Sequence, residues 1–366
     1  MNITSGRWQT AITERFGVRY PIFAFAHSAD VIVEVVKAGG FGVFGGTRNT
    51  PDEIRTVLED IRSRVGDRPF GIDLVIPQGM PAHNNRETIE AEIPDGHRMF
   101  VDHIYQKYNV PAPTRAGMRT RFVRSEESAA AQVRVVLESD VNLLALGVGS
   151  PPDVVALAKE RGKTVLALVG QPKHARRAID AGADLLVAQG SDAGGHTGSI
   201  GTFSLVPQIV DIAGGRPVLA AGGVVSGRHI AAAMALGADG VWTGTRWLLT
   251  RENHTDPIIT RKLIDAESAD TLITRSESGK TFRQIRSAWS DEWHAPGAPE
   301  PLKMPYHDIL VGDLLGAIND HHVEPLMHSG AGQGIGMIHG ESSVADVMAA
   351  LVRETEDAYR RLCGGE

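Results

Sequence analysis

The sequence predicts an α/β protein, a (β/α)8 (TIM) barrel with a lid-like insertion after strand 3 and an extra segment after strand 8. Three observations carry this. Short β-branched and apolar runs alternate with longer amphipathic stretches from residue 21 to about 250. The runs number eight, the count that closes a barrel. Three helix-to-strand joints share one phrase: Lys37-Ala38-Gly39-Gly40-Phe41-Gly42, Asp180-Ala181-Gly182-Ala183-Asp184 and Ala235-Leu236-Gly237-Ala238-Asp239-Gly240. Each reads as a helix ending on glycine and running straight into a buried strand at the barrel floor. A doubly wound sheet uses the same units and is the alternative.

In order, the expected strands are 21–26, 41–45, 70–76, 141–146, 164–169, 184–189, 217–221 and 240–244. The helices between them are 29–38, 51–64, 127–138, 151–161, 172–181, 203–212 and 227–236, several opening on proline, as at Pro51 and Pro172. Residues 1–76, 125–250 and 306–366 form the expected barrel, with helices near 309–320 and over 344–362 closing it or packing beside it. Residues 77–124 break the alternation after strand 3 and are rich in His, Arg and Tyr. So long a stretch carries its own short helices, such as 95–108. It leaves from the strand end where this fold places its active sites, so it reads as a lid, or alternatively as a peripheral embellishment. Residues 251–305 read as irregular or helical.

Composition narrows the function. The 366 residues are 42% hydrophobic and 22% charged, with a formal charge of −7. That balance argues against a nucleic-acid footprint. No apolar run approaches the roughly 18 residues of a membrane span, and the N-terminus lacks the pattern of a secretory signal. The lone Cys363 excludes an intrachain disulfide and a cysteine-rich zinc site. A cytoplasmic enzyme or binding protein is expected, acting on a small molecule, with a homo-oligomer possible and no membrane or nucleic-acid partner.

The chemistry lies in residues 188–198, Ala-Gln-Gly-Ser-Asp-Ala-Gly-Gly-His-Thr-Gly. Glycines let backbone approach a bound group, and a histidine among them can exchange protons near neutrality. Strand 7 ends Ala220-Ala221-Gly222-Gly223 and strand 8 ends Trp242-Thr243-Gly244-Thr245. Loops after these strands commonly bind phosphate, although close helix–strand packing also favours glycine. A phosphate anchor beside Gln189 and the Gly194-Gly195-His196 turn suggests a mononucleotide cofactor.

These motifs, with Pro21-Ile22-Phe23-Ala24 and the run from Ser329 to Gly336, resemble the nitronate monooxygenase family of FMN-dependent barrels. The resemblance implies that His196 is the catalytic base taking the α-proton of a nitroalkane, and that FMN and O2 complete the oxidation. It implies that Gln189, Ala193, Gly194 and Gly195 line the cofactor, and that Ala24, Phe25 and Ala26 lie against its ring. Gly222, Gly223, Gly244 and Thr245 would hold the phosphate, Ala221 and Thr243 would also bind the cofactor, and Gln333 and Gly334 would close over it. Asp73 would face the cofactor where asparagine is common in the family. The strand-5 end, Leu168-Val169-Gly170, lacks a lysine that some members place by the ring, and His27 is a candidate substitute.

No metal-ligand spacing appears, and Lys163 lies at the wrong end of its strand for a Schiff base. Two other functions fit the same residues. One is an NAD(P)H-dependent FMN reductase of a quinone or activated C=C bond, like the enoyl reductases of this superfamily. The other is a flavin-binding barrel without turnover.

Overall fold

Large apolar side chains at alternate strand positions decide the architecture, because two faces of every strand must be buried at once. The computed structural model describes residues 8–76, 79–83 and 85–363. The stretch read for a secretory signal (residues 1–7) and Pro77, Gln78 and Asn84 of the insertion lie outside the described residues.

In chain order, α1 (Ala11–Phe16) precedes β1 (Ile22–Ala26), α2 (Ala29–Lys37), β2 (Phe41–Gly45), α3 (Pro51–Val65) and β3 (Phe70–Val75). The insertion then carries α4 (Arg86–Ala91) and α5 (Asp95–Lys107). The alternation resumes with α6 (Glu126–Glu138), β4 (Leu143–Gly147), α7 (Pro152–Glu160), β5 (Thr164–Val169), α8 (Pro172–Asp180) and β6 (Leu185–Gln189). After a two-residue strand, β7 (Gly195–His196), come α9 (Thr202–Ile212), β8 (Val218–Ala221), α10 (Gly227–Ala235) and β9 (Gly240–Thr243). β1 to β6, β8 and β9 form a closed parallel barrel in which β9 returns to β1, with Ile22 opposite Val241. The (β/α)8 barrel is therefore observed.

Phe23, Phe41, Leu143, Leu166, Leu185 and Leu219 fill the barrel interior. Phe23 stacks on Phe41 at 4.4 Å, and α1 plugs the floor with Ile12 and Phe16. Their neighbours Ile22, Ile72, Leu144 and Leu186 face the helices instead. The repeated joints are left-handed helix ends, with Gly39, Gly182 and Gly237 at φ 91°, 94° and 94°. Asp184 and Asp239 extend the motif, their carboxylates accepting the N–H of Val165 and Val218 at 2.9 Å each. α3 starts where Thr50 and Glu53 cap each other's backbone N–H, at 3.3 and 2.8 Å. α14 (Val344–Leu362) fills the eighth helix position, between α10 and α2.

The remaining segments build a cap with its own core. α11 (Pro257–Asp265), the hairpin β10 (Thr271–Thr274) and β11 (Phe282–Ile285), α12 (Ala288–His294) and α13 (Tyr306–Asp320) follow β9. Val101 and Ile104 of the insertion pack there with Trp289, Trp293, Leu314 and Ile318. Arg86 clamps the insertion to Asp313 of α13 at 2.7 Å. Residues 251–305, read as irregular or helical, hold a hairpin besides α11 and α12: Thr271 to Thr274 pair antiparallel with Phe282 to Ile285, and Phe282 in turn pairs with His196.

Candidate active site

At the C-terminal mouth of the barrel, the uppermost inward positions are mostly small. Phe25, Leu168 and Trp242 wall the mouth, with Phe25 and Trp242 stacked at 5.8 Å. Between them the small Gly45, Gly147 and Ala221 line a shallow dish, with His27 and Phe25 packed on Gly45, and among the described inward-facing strand ends Asp73 and Gln189 are the polar ones. Strand alternation turns Ala24 and Ala26 outward into the helix layer, so only Phe25 of that trio presents its side chain to the dish. His27 bonds through Nδ1 to the Gly45 carbonyl at 2.8 Å. Burial lowers its pKa, which favours the neutral ring.

One edge of the dish leads to the ends of β6, β8 and β9. Gly222 and Gly223 adopt φ 99° and 72°, values that L side chains resist, and turn the backbone around the end of β8. Thr202 anchors this turn, donating from Oγ1 to the Gly222 carbonyl at 3.1 Å and from its N–H to Asp192 at 2.9 Å. Gly332 N–H donates to Thr245 Oγ1 at 2.9 Å, and Gln333 N–H to the Asp192 carbonyl at 2.9 Å. These bonds draw Gln333 and Gly334 over Gly223, beside a cavity of about 290 Å³ that runs from Gly222, Gly223 and Gln333 to Val206 of α9 and Ala232 and Ala233 of α10. Gly244 has open space where a Cβ would project. A dish of small residues with an open glycine-lined edge fits a cofactor with a flat ring and a phosphate tail.

His196 approaches from the cap side. Its strand pairing with Phe282 ties it to the hairpin, its ring lies edge-on to Phe282 at 5.3 Å, and Nε2 is 2.7 Å from Ser278 Oγ. Gln189 secures the backbone by donating to the His196 carbonyl at 2.6 Å. Burial, reinforced by Arg119, Arg124 and Arg48, pushes the imidazole pKa down to about 3, and it is neutral at ordinary pH.

Those arginines belong to a buried cluster that the sequence reading did not single out. Arg119 bonds Asp308 at 2.9 Å and also pairs with Glu277, whose other oxygen meets His328 at 2.8 Å. Burial works against both carboxylates, yet the arginines around Asp308, and Arg119 with His328 around Glu277, hold them well below the usual carboxylate range. Arg124 donates to the Val75 carbonyl at 3.1 Å. Arg48 has one long contact, 3.5 Å to Asp308, and its remaining N–H donors find no partner among the described residues. Lys280 adds another cation at the hairpin tip, its pKa lowered by burial and by Arg124. The signal in the sequence was the arginine-rich end of the insertion; Asp308 is one of three aspartates in α13, and nothing in its spacing marks it out.

The nitronate monooxygenase family profile matches residues 9–354, nearly the whole described chain. The chain belongs to the nitronate monooxygenase family. It is a flavin-dependent oxidoreductase with a small-molecule substrate. A Mycobacterium tuberculosis relative named "Putative monooxygenase Rv1533" is 39% identical, covering 97% of this chain and 99% of its own length. Among solved structures, a nitroalkane oxidase from Streptomyces ansochromogenes superposes with TM-score 0.80 at 28% identity, covering 96% of this chain and 100% of that one. FabK from Thermotoga maritima follows with TM-score 0.75 at 26% identity, covering 97% and 99%. Among the described residues, no helix is long and apolar enough to cross a membrane.

Proposed function

We propose that this family member is an FMN-dependent monooxygenase of alkyl nitronates. The observation that carries the reading is the neutral His196 set beside a cation-rich mouth in which Arg48 keeps donors without a partner among the described residues. A nitronate is an anion, and a desolvated guanidinium with unfilled N–H groups stabilises an anion far better than a neutral molecule. When bound, FMN supplies the electron transfer and the reaction with O2. The chain's own residues do the rest. Gly222, Gly223, Gly244 and Thr245 hold the phosphate, with Ala221 and Thr243 supporting them. Phe25 and Gln189 border the ring, with Ala193, Gly194 and Gly195 offering backbone.

His196 is the catalytic base toward a neutral nitroalkane, but its low pKa makes that transfer uphill. Preformed nitronate is therefore the better substrate. Anaerobic stopped-flow mixing tests this: an alkyl nitronate should bleach the bound flavin faster than the parent nitroalkane, and NADH or NADPH should not bleach it. Bleaching by a nicotinamide and not by nitronate would assign the chain to the reductases instead.

A further inference from the structure

One polar side chain of the mouth, Asp73, makes no ion pair with the arginine cluster among the described residues, and its Oδ1 meets no donor there. Asp73 lies in register with Gly45 on β2 and Ala145 on β4, and its neighbours Ile72 and Leu74 point to the helices. The carboxyl therefore projects into the dish, where a Cβ on Gly147 would stand only 3.6 Å from Oδ1. Asp73 is 5% exposed, and its buried Oδ1 accepts no hydrogen bond among the described residues. A buried polar group left so is costly unless something arrives to meet it.

The charged groups around it do not meet that need. Arg124, from the end of the insertion, donates to the Val75 carbonyl and to Met304 Sδ instead. His27, after β1, is tied to Gly45 and kept neutral, and Arg48 beside it turns to Asp308. His196, across the mouth, is neutral too, while Lys280 feels the charges of Arg124 and Asp308. On the β4 side stand only Ala145 and Gly147. Burial outweighs the pull of Arg124 and raises the Asp73 carboxyl to about 7.

We propose that Asp73 enters the cofactor complex as the neutral acid and donates its O–H to an acceptor on the bound flavin ring, so that flavin uptake is coupled to a proton. This rests on the flavin reading above. An ionised Asp73 would offer only lone pairs to a ring edge rich in acceptors, and would stand near a cofactor that is itself anionic. The sign follows: the form that binds is protonated, so affinity is greatest below the pKa of the free protein and declines above it.

FMN binding to flavin-free protein, followed by fluorescence quenching from pH 6 to 9, tests this. Wild-type Kd should rise about tenfold per pH unit above neutrality. Asp73→Asn should keep the wild-type pH 6 affinity within about threefold and lose that rise. Infrared difference spectra at pH 8, flavin-bound minus free, should show a protonated carboxyl band in wild type that is absent from the variant. Parallel pH profiles with tight FMN binding in both proteins, or no such band, would overturn the inference alone. No FMN binding by either protein at any pH would overturn the flavin reading and this inference with it.

Discussion

His196 illustrates how a field from the surroundings reassigns a residue's work. An isolated imidazole would share its proton near neutrality, but here burial and three arginines favour the neutral ring. His196→Asn should leave flavin bound, because barrel residues build the proposed flavin platform. It should slow reaction with the neutral nitroalkane about tenfold more than reaction with preformed nitronate. Equal losses on both substrates, measured as kcat/KM, would remove the proton-transfer role. The histidine itself was legible in the sequence because glycines bracket it at a strand end. Arg48 and Asp308 were not. They lie 260 residues apart, and neither flanking sequence says that α13 will fold over the second barrel loop.

At the scale of elements, the hairpin β10–β11 is the piece that sequence periodicity missed. Its strands are four residues each, too short for a period-2 signal, and β7 is a strand only because Phe282 lies beside it. The barrel strands were readable because each carries a buried face on both sides. The hairpin also places Glu277 against Arg119 and His328, a buried ionic contact whose loss leaves an unmatched charge. Glu277→Gln should therefore destabilise the protein by about 3–5 kcal/mol at neutral pH, seen in denaturant unfolding. Because Glu277 is more acidic folded than unfolded, its contribution is complete above the ordinary carboxylate pKa of about 4. The gap between variant and wild type should thus narrow as pH falls below about 4. A gap that holds constant into acid would show that packing, not charge, is what the glutamate supplies.

The whole molecule joins two cores, one inside and around the barrel and one in the cap, and the site lies where they meet. Residues from β1, β2, β3, β6, β7 and the ends of β8 and β9 converge there with the insertion, the hairpin and α13. Ligand binding at such a junction stabilises both cores together. Adding FMN to flavin-free protein at about a hundredfold excess over Kd should add about 2.7 kcal/mol of stability and move a single melting transition upward. Splitting into two transitions, with only one responding, would show that cap and barrel melt separately.

The two-residue strand β7 has a wider consequence. It hangs from the barrel strand that carries Gln189, yet its ladder partner is the hairpin. The histidine is thus stitched to the cap, while the glycine cradle belongs to the barrel. Over generations, changes in the insertion and the hairpin can move His196 and its arginines without touching the proposed phosphate end. One inherited cofactor platform can then serve successive substrates, each selected by a rewritten roof.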